Sequence, residues 1–475
     1  MHLRRLLLLG CAGLAIATPA LRAQAHAQTD ATSTPHTLTY APSKSITLSL
    51  PASFDINVAA SGLHRVRFFA QAPDGRIFAT GMYDRADNNQ GSVFILDGWN
   101  AQTHTFARVL HYLDHLRNPN NLTFYTEPAH DGKPAQSWLY LPLTDRLLRY
   151  RYNPGDTSPS GLPQVLMRFP DYGLGYKYGG WHLTRTVALA TLHGRTRVYV
   201  AAGSSCDYCR EREVVRASLT AMDPDGTNQV LLAHGLRNAV DLRWVLDLDG
   251  GALFASNMGD DHLGDNLPED TFFELDSNDQ PGPIAQALGT EKSSTANYGW
   301  PTCYFAHGKP VLDATPLPET AREDDPRTEH ELAKAGTLLT AGGGKANSVD
   351  PNANLGVTPA PLADCHAVPA AYTTFAAHSS PLGLAWFGSK NPLLGGSFLV
   401  ALHGSGHTRV GTGYRLVRFS PGKRTPQDFL TGFLTTQNGK AVVHGRPCGL
   451  LQIGPDSFLL TDDFLGLVYF IHPAA

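Results

Sequence analysis

Six copies of one short pattern, an apolar strand, a polar turn and a second apolar strand, constrain the fold of this chain more than any other feature. The copies begin at residues 75, 137, 196, 251, 396 and 456, so their start positions differ by 62, 59, 55, 145 and 60 residues. They read GRIFAT with GSVFIL, SWLYLP with RLLRY, TRVYVA with SLTAMD, GALFAS with TFFEL, GSFLVA with GYRLVRF, and DSFLLT with GLVYFI. Repetition of a strand pair at a near-constant period is typical of propellers.

The repeats predict an all-β fold, a six-bladed β-propeller with a long loop insertion. A β-sandwich, which also has many short strands, is the alternative that the repeats alone leave open. The propeller is expected to occupy residues 47–475 as a single domain. Residues 311–362 fall in the one long interval and are rich in Pro, Ala, Gly, Asp and Glu without a period, which predicts an irregular insertion.

The start of the chain is typical of an export signal. It reads MHLRR, continues with a short apolar run and ends in AQAHA. We interpret residues 1–27 as a secretory signal peptide cut after Ala27, and residues 28–46 as a flexible leader. The mature protein is therefore expected to be periplasmic or secreted, without stable membrane insertion.

The cysteines agree with an oxidising compartment, in which disulfides persist. For Cys206 and Cys209 a structural disulfide is favoured over a zinc half-site or a redox pair, because the sequence offers no second CxxC. Arg210 stands where covalent haem attachment needs a histidine. Cys303 and Cys365 flank the irregular stretch, and we hypothesise that they pair.

Charge excludes one class of partner. Lys plus Arg total 38 against 42 for Asp plus Glu, a net charge of −4, so the chain lacks the cationic surface that a phosphate backbone requires. Nucleic acid is not expected as a partner.

A histidine stands just before the third predicted blade, in the segment GGWHLTRT. Imidazole is suited to take a proton near neutral pH, and a general base typically contributes about 10²–10⁴-fold to a rate. Most of the 20 histidines of the chain must have other roles. His182 therefore becomes a candidate base only through its context.

Two polar side chains, Arg237 and Asn238, precede the fourth blade in the segment HGLRNAV. They are suited to clamp a carboxylate or a quinone oxygen, although a salt-bridged arginine at a strand start is the alternative. The acidic run over residues 257–270 suits Ca²⁺, which binds carboxylate and backbone oxygens, but its spacing is not that of an EF-hand.

Aromatic and cationic residues complete the candidate set. In NYGWP, Tyr298 and Trp300 are suited to wall a planar cofactor. Arg409 and Arg446, in the segments HGSGHTR and HGRP, are suited to neutralise an anionic ligand, with a solvated surface position as the alternative.

Taken together and in order, these motifs identify a resemblance. GWHLTRT, AAGSSCDYC, HGLRNAVDLRW, NMGDDHLGDNLPED, NYGWP, HSSPLGL, HGSG and HGRP span roughly residues 60–472. The chain resembles the soluble glucose/sorbosone dehydrogenases and looks most like the L-sorbosone dehydrogenase branch. The resemblance implies a six-bladed propeller that binds pyrroloquinoline quinone (PQQ) and Ca²⁺ at the mouth of its channel.

The resemblance also implies a role for each motif residue. His182 would take the proton of the C1 hydroxyl, with hydride passing to the quinone. The other implied roles are polarisation of the quinone oxygens by Arg237 and Asn238, binding of the cofactor carboxylates by Arg409 and Arg446, lining of the pocket by Tyr298 and Trp300, and Ca²⁺ binding by the backbone carbonyls of the Gly259-Asp260 turn.

Two departures from the family pattern affect the substrate. Where glucose-oxidising relatives have Gln-Gly-Pro at the calcium turn, this chain has Met258, Gly259 and Asp260. Where the sorbosone branch has HGSW, this chain has Gly406 in place of the tryptophan. A different aldose or aldehyde is therefore compatible with the site.

The sequence thus predicts a PQQ-dependent periplasmic dehydrogenase that oxidises an aldose or a sorbosone-like sugar aldehyde at C1. An external electron acceptor, a cytochrome or a quinone, is expected as its partner. Two alternatives stay open: a Ca²⁺-dependent propeller lactonase or other hydrolase, and a non-catalytic sugar-binding propeller.

Overall fold

The computed structural model describes residues 33–129, 132–170, 182–211, 213–282, 284–285, 295–318, 361–406 and 410–474. In chain order its strands are β1 (Ser33–Ala41), β2 (Lys44–Pro51), β3 (Phe54–Ala60), β4 (Val66–Gln71), β5 (Ile77–Gly81), β6 (Gly91–Asn100), β7 (Thr105–Leu116), β8 (Thr123–Glu127), β9 (Gln136–Pro142), β10 (Arg146–Tyr152), β11 (Gln164–Arg168), β12 (Arg185–Leu192), β13 (Arg195–Ala202), β14 (Ser218–Met222), β15 (Val230–His234), β16 (Ala239–Val245), β17 (Ala252–Asn257), β18 (Asp270–Ser277), β19 (Ala296–Asn297), β20 (Cys303–Ala306), β21 (Lys309–Leu312), β22 (Thr373–Phe375), β23 (Pro381–Phe387), β24 (Ser397–Leu402), β25 (Arg415–Ser420), β26 (Lys423–Leu430), β27 (Leu434–Gln437), β28 (Lys440–Val443), β29 (Pro447–Gly454), β30 (Ser457–Asp462) and β31 (Leu467–Pro473).

Six antiparallel sheets form the blades of a β-propeller, which confirms the predicted fold. From the first to the sixth they are β4–β7, β8–β11, β12–β15, β16–β17–β18–β22, β23–β26 and β29–β30–β31–β3, and the short β19 adds a parallel edge to the third. Each of the six sequence repeats forms the second and third strands of one blade. Most side chains of these strands are buried, because both of their faces are covered.

The ring is closed by a strand from the beginning of the chain. In the sixth blade β3 is the outermost strand and pairs antiparallel with β31, with Phe54 opposite Pro473 and Val58 opposite Tyr469. The first and last described strands of the propeller are therefore held in one sheet, which leaves the ring no open end.

The prediction of a flexible leader over residues 28–46 is wrong for residues 33–46. These residues belong to the hairpin β1–β2, and β2 continues to Pro51. Three alternate side chains of β2, Ile46, Leu48 and Leu50, are buried against the fifth and sixth blades. Ser49 also exchanges two backbone hydrogen bonds of 2.9 Å with Thr431. Alternation that buries one face of a hairpin stabilises it.

The predicted insertion is only partly within the described residues. Its first two residues, Val311 and Leu312, end the hairpin β20–β21, while residues 319–360 lie outside the part of the chain that the structure describes. The hypothesised disulfide between Cys303 and Cys365 is present, with a Cα–Cα distance of 5.7 Å. It closes the base of the insertion. The predicted signal peptide, residues 1–27, also lies outside the described residues.

Candidate active site

The functional motifs meet at one end of the channel because of the blade topology. In antiparallel blades, the turn after the second strand and the connection before the first strand lie on the same face. His182, Arg237 and Arg446 occupy such connections, and the segments that follow β13, β17 and β30 occupy such turns. We call this face the channel mouth.

His182 presents one ring nitrogen to the protein and leaves the other accessible. Its Nδ1 lies 2.8 Å from the hydroxyl oxygen and 3.1 Å from the carbonyl oxygen of Ser204. Within the described residues, Nε2 has no hydrogen-bond partner. The ring is half-buried, and burial together with the charge of Arg237 lowers its pKa well below the ordinary value. His182 is therefore a neutral base near pH 7.

A glycine makes room for this histidine. A Cβ at Gly203 would lie 2.5 Å from Cβ of His182 and 2.6 Å from Oδ1 of Asn238. Since real Cβ atoms do not approach so closely, any larger residue would displace one of these two side chains. The glycine of the segment AAGSS thus fixes the spacing between the third and fourth blades.

Arg237 joins the third blade to the fourth. Its Nε donates to the carbonyl oxygen of Asp207 at 2.9 Å, its Nη2 to Oδ1 of Asp207 at 2.5 Å, and its Nη1 to the carbonyl oxygen of Gly259 at 2.5 Å. The side chain is 3% exposed. All three nitrogens are thus bonded to protein oxygens, so the guanidinium orders the two turns that flank His182.

Asn238, the other half of the predicted clamp, is also held within the protein. Its backbone N–H donates to Oδ1 of Asn257 at 3.0 Å, and its Nδ2 lies 3.4 Å from the sulfur of Met258. Its Oδ1 accepts from the hydroxyl of Thr184 at 3.3 Å. This long bond and the weak sulfur contact leave the amide capacity for a stronger partner.

Two carboxylates of the acidic turn after β17 lie beside histidine rings. Oδ1 of Asp260 lies 2.9 Å from Nδ1 of His262, and Oδ1 of Asp261 lies 2.9 Å from Nδ1 of His378. The hydrogen bond with Asp261 raises the pKa of His378 to about 9. Asp270 accepts backbone N–H bonds instead, and burial raises its pKa to about 7.

A second buried cluster lies on the opposite side of the channel mouth, between the fifth, sixth and first blades. Arg446 donates to the carbonyl oxygens of Gly404 at 2.9 Å and Ser405 at 3.2 Å, and to the hydroxyl of Tyr414 at 2.8 Å. His403 lies beside it, with Nδ1 at 3.4 Å from Nη1 of Arg446. The predicted anion-binding arginine is thus placed at the channel mouth.

The carboxylate of Asp463 neutralises this cluster only in part. It contacts Nε2 of His403 at 2.8 Å and Nη1 of Arg67 at 3.0 Å. Two further arginines, Arg65 and the exposed Arg85, act electrostatically on Arg446. Cationic side chains therefore outnumber carboxylates on this side, which we call the cationic edge.

Two predicted pocket residues do not line the channel mouth. Tyr298 is 1% exposed and packs edge-on against Phe273 in the core, with its hydroxyl 3.3 Å from the carbonyl oxygen of Leu275. Trp300 packs against the Cys206–Cys209 disulfide and donates to the carbonyl oxygen of Asp207 at 3.2 Å. Both aromatic rings face the protein interior because they cover apolar surface there. Arg409 lies outside the described residues.

The sequence does not distinguish three important partners, Ser204, Asp207 and Asp463, as site residues, although Ser204 and Asp207 lie in the AAGSSCDYC motif. Each follows the second strand of its blade, in segments that the sequence marks as polar without giving a role. The disulfide between Cys206 and Cys209 is confirmed, which leaves no thiolate there for zinc. Among the described residues, the one group of three or more clustered His, Cys, Asp or Glu side chains that could hold a metal consists of these two cysteines and Glu211.

A family model described as TrAA12-like matches residues 115–437, about two thirds of the 475 residues. The chain belongs to the TrAA12-like family. No curated protein matches it. The L-sorbosone dehydrogenase branch is not confirmed by the family model.

Solved structures share the fold of this TrAA12-like protein. An iodide structure of a Trichoderma reesei protein of Carbohydrate-Active Enzymes Family AA12 is 15% identical, with a TM-score of 0.57, over 90% of this chain and 97% of that chain. A calcium structure of a family AA12 protein from the same organism aligns with the same TM-score. The holo PQQ domain of pyranose dehydrogenase from Coprinopsis cinerea is also 15% identical, with a TM-score of 0.57 and the same coverage of both chains. Within the described residues, no helix is both long and apolar enough to cross a membrane.

Proposed function

We propose that this TrAA12-like protein is an exported PQQ-dependent dehydrogenase that oxidises an aldose or a sugar aldehyde at C1. The observation that carries the proposal is His182, a neutral base at the mouth of a propeller channel whose Nε2 has no hydrogen-bond partner in the part of the chain that the structure describes. The shared fold with a PQQ domain of a pyranose dehydrogenase supports the choice of cofactor and substrate class.

The cationic edge fits PQQ. PQQ is a planar quinone with three carboxylates. Arg65 is paired with Asp463 at 3.9 Å. Arg85 and Arg446 add positive charge beside this pair, and Asp84 offsets part of that charge. Arginine pairs well with carboxylates because its donors form a rigid fork. Arg85 is exposed and Arg65 is about one-quarter exposed, so both can reach a ligand at the mouth. Arg409 is proposed to add to this set.

Calcium fits the acidic turn less simply, and it forms a separate part of the proposal. The carbonyl oxygen of Gly259 and the half-exposed carboxylate of Asp261 are oxygen donors of the kind that Ca²⁺ prefers. However, Nη1 of Arg237 already donates to Gly259. A cation at that oxygen would compete with the guanidinium of Arg237 for it.

His182 performs the proton transfer in the proposed reaction. Its Nε2 accepts the proton of the C1 hydroxyl of a cyclic aldose or of a hydrated aldehyde as the C1–H bond breaks. The sugar thereby loses one proton and one hydride and gives the lactone or the carboxylic acid, respectively. Bound PQQ supplies the quinone that accepts the hydride and its two electrons. Arg237 and Asn238 hold the two turns around the base, and the external acceptor later takes up the electrons.

The substrate pocket is proposed to be wider and less polar than in glucose-oxidising relatives. Met258 places a thioether where those relatives have a polar amide, and its sulfur is 3.4 Å from Nδ2 of Asn238. Gly406 leaves open the space that a tryptophan fills in the sorbosone branch, and a Cβ there would meet no atom within 4 Å. A sorbosone-like aldehyde is therefore included among the proposed substrates.

The test is dye-linked reduction by the purified mature protein with a panel of aldoses and sorbosone. The apo protein is compared with protein given PQQ alone, Ca²⁺ alone and both. Activity that requires PQQ supports the proposal, and a further requirement for Ca²⁺ supports the calcium part. Activity with PQQ that is unchanged by a chelator removes calcium from the proposal.

Failure of every arm, together with absence of PQQ binding by fluorescence quenching, would overturn the proposed function. Lactone hydrolysis would then be assayed, because a propeller hydrolase is the remaining enzymatic alternative. Such a hydrolase needs metal ligands that converge at the channel. Hydrolysis of a lactone without added PQQ would support that alternative.

A further inference from the structure

Among the described residues, Ser204 supplies both hydrogen-bond contacts of the His182 ring. Nδ1 lies within hydrogen-bond distance of both the hydroxyl and the carbonyl oxygen of this serine. Ser204 has no exposed surface, so water does not compete for either contact. The orientation of the base therefore depends on a neutral partner rather than on a carboxylate.

The hydrogen bonds of Ser204 determine which ring nitrogen carries the proton. The hydroxyl of Ser204 has one proton, and it donates to the carbonyl oxygen of Cys206 at 2.6 Å. Toward His182 the hydroxyl oxygen can then only accept, as the carbonyl oxygen does. Both contacts require a proton on Nδ1. In the neutral ring the lone pair is consequently on Nε2, which has no hydrogen-bond partner among the described residues.

The loop that begins at Ser204 also holds the neighbouring arginine. The disulfide between Cys206 and Cys209 closes this loop, and Asp207 within it binds Arg237 through its carbonyl oxygen and its carboxylate. The backbone N–H of Asp261 donates to the same carboxylate at 2.9 Å. One disulfide-closed loop thus sets the positions of His182, Arg237 and the start of the acidic turn.

We propose that Ser204 is the positioning residue for the base, holding His182 as the Nδ1–H tautomer, and that the Cys206–Cys209 loop maintains Ser204 in place. This inference rests on the proposed function for its effect on turnover. Its structural part, the tautomer, is independent of any cofactor or substrate. In Ser204→Ala the ring loses its closest acceptor, while the carbonyl oxygen of residue 204 remains as the weaker one.

The first test measures the tautomer in the cofactor-free protein. Histidine labelled with ¹⁵N is incorporated, and the His182 ring signals are assigned by their loss in His182→Asn. We expect a protonated Nδ1 and an unprotonated Nε2 in the wild type, and a mixture of tautomers in Ser204→Ala. A wild-type ring that carries its proton on Nε2 would overturn the proposal, whatever the enzyme assays show.

The second test measures turnover. In Ser204→Ala we expect kcat to fall by about a hundredfold, as for a misplaced catalytic group, with little change in KM or in PQQ affinity. Ser205→Ala is the matched control, because its hydroxyl binds Glu211 and not His182. Its kcat should stay within about twofold of the wild type. Equal kcat in Ser204→Ala and the wild type would overturn the proposal.

The disulfide part has its own variant, Cys206→Ser with Cys209→Ser. We expect its kcat to fall toward that of Ser204→Ala and its His182 tautomers to mix. A variant that keeps both the wild-type tautomer and the wild-type kcat would overturn the role of the disulfide. If the wild type has no dehydrogenase activity, the proposed function fails, and the tautomer measurement still decides the role of Ser204.

Discussion

Two histidines stand on opposite sides of the channel mouth, each beside an arginine, and they differ in what their ring nitrogens contact. His403 uses both nitrogens: Nε2 binds Asp463 and Nδ1 faces Arg446. His182 uses only Nδ1, which faces Ser204. Proximity to the channel and to an arginine is therefore not what distinguishes a base. The distinguishing property is a ring nitrogen that has no hydrogen-bond partner within the described ranges of the chain.

The buried titratable groups on the two sides of the channel mouth also have different partners. Around His182 the partners are neutral oxygens, and burial keeps the ring uncharged. Burial lowers the pKa of His403 as well, but there the carboxylate of Asp463 contacts His403, Arg67 and Arg65, so the pKa of Asp463 lies well below the usual range despite its burial. A buried carboxylate that has several cationic partners stabilises the fold, whereas a neutral base at the mouth is available for chemistry.

The largest effect is expected from removing the base. His182→Asn should lower kcat by at least about a hundredfold, because a general base typically contributes about 10²–10⁴-fold. PQQ affinity, measured by fluorescence quenching, should be nearly unchanged. The control is His115→Asn, at an exposed position on the outermost strand of the first blade. Turnover near the wild-type value in His182→Asn would remove this residue from the mechanism.

The next largest effect is expected on the stability of the protein, from a variant of Asp463 in the cluster around His403. Asp463→Asn should lower the free energy of unfolding by about 2–4 kcal/mol at pH 7, because it leaves Arg67 and Arg65 without their carboxylate. The folded-state pKa of Asp463 is depressed, so its contribution is present above pH 4 and is lost as the pH falls further. Urea unfolding of the wild type and of Asp463→Asn at pH 3 and pH 7 measures the loss in the free energy of unfolding and its dependence on pH.

The difference between wild type and Asp463→Asn should therefore shrink below pH 4, and a constant difference would contradict the assignment. The adjacent Asp462 has a pKa shifted in the opposite direction, and its contribution to stability therefore depends on pH in the opposite way. Burial raises its pKa to about 7, so it contributes stability at low pH that is lost as the pH rises through 7. Asp462 accepts from neutral donors, among them the hydroxyl of Tyr469 at 3.1 Å.

A smaller effect is expected from the structural histidine. His403→Ala should lower the free energy of unfolding by about 1–3 kcal/mol, since Asp463 loses one buried hydrogen bond. The kcat at saturating PQQ should remain that of the wild type. Thermal unfolding and dye reduction measure the two quantities separately. A loss of kcat like that of His182→Asn would show that the comparison between the two rings is mistaken.

The exposed arginine of the cationic edge should have a milder effect. Arg85→Ala should weaken PQQ binding about three- to tenfold at low salt, because the removed charge is near solvent. The difference should narrow as ionic strength is raised. Titration of PQQ at two salt concentrations measures it. Equal affinity of the variant and the wild type at low salt would exclude Arg85 from the binding site.

The smallest effect is expected at Tyr298. Tyr298→Phe removes one long hydrogen bond to Leu275 and keeps the ring in the core, so the free energy of unfolding should fall by about 1 kcal/mol or less. Activity should not change, since the ring lies away from the channel mouth. A large loss of PQQ affinity in this variant would restore Tyr298 to the pocket.

The sequence predicts the repeats well because each hairpin is a local pattern. The inner strands and the ring closure by β3 depend on pairing between distant residues, which local alternation does not reveal. The prediction of a flexible leader is wrong for the hairpin because a single hairpin is stable only when a neighbouring surface covers it. The alternation of Ile46, Leu48 and Leu50 does not by itself reveal that surface.

For the site, the motif residues were predictable and their partners were not. His182, Arg237 and Arg446 do reach the channel mouth because the propeller topology collects these connections. Tyr298 lies in the core, whereas the sequence predicts it in the pocket. An aromatic residue in a turn is equally suited to either position, so the sequence does not distinguish them. Ser204 is the opposite case. Serine is a common residue, and the role of Ser204 becomes evident only when the structure places the His182 ring beside it.

The pairing of β3 with β31 has a consequence for biosynthesis. Residues 54–60 leave the ribosome roughly 400 residues before residues 467–473, which is about 20–80 s at ordinary elongation rates. During that interval the edge of β3 has no partner strand. The nascent chain therefore carries an unpaired, partly apolar strand throughout its synthesis, and the last blade is completed only when the chain is almost finished.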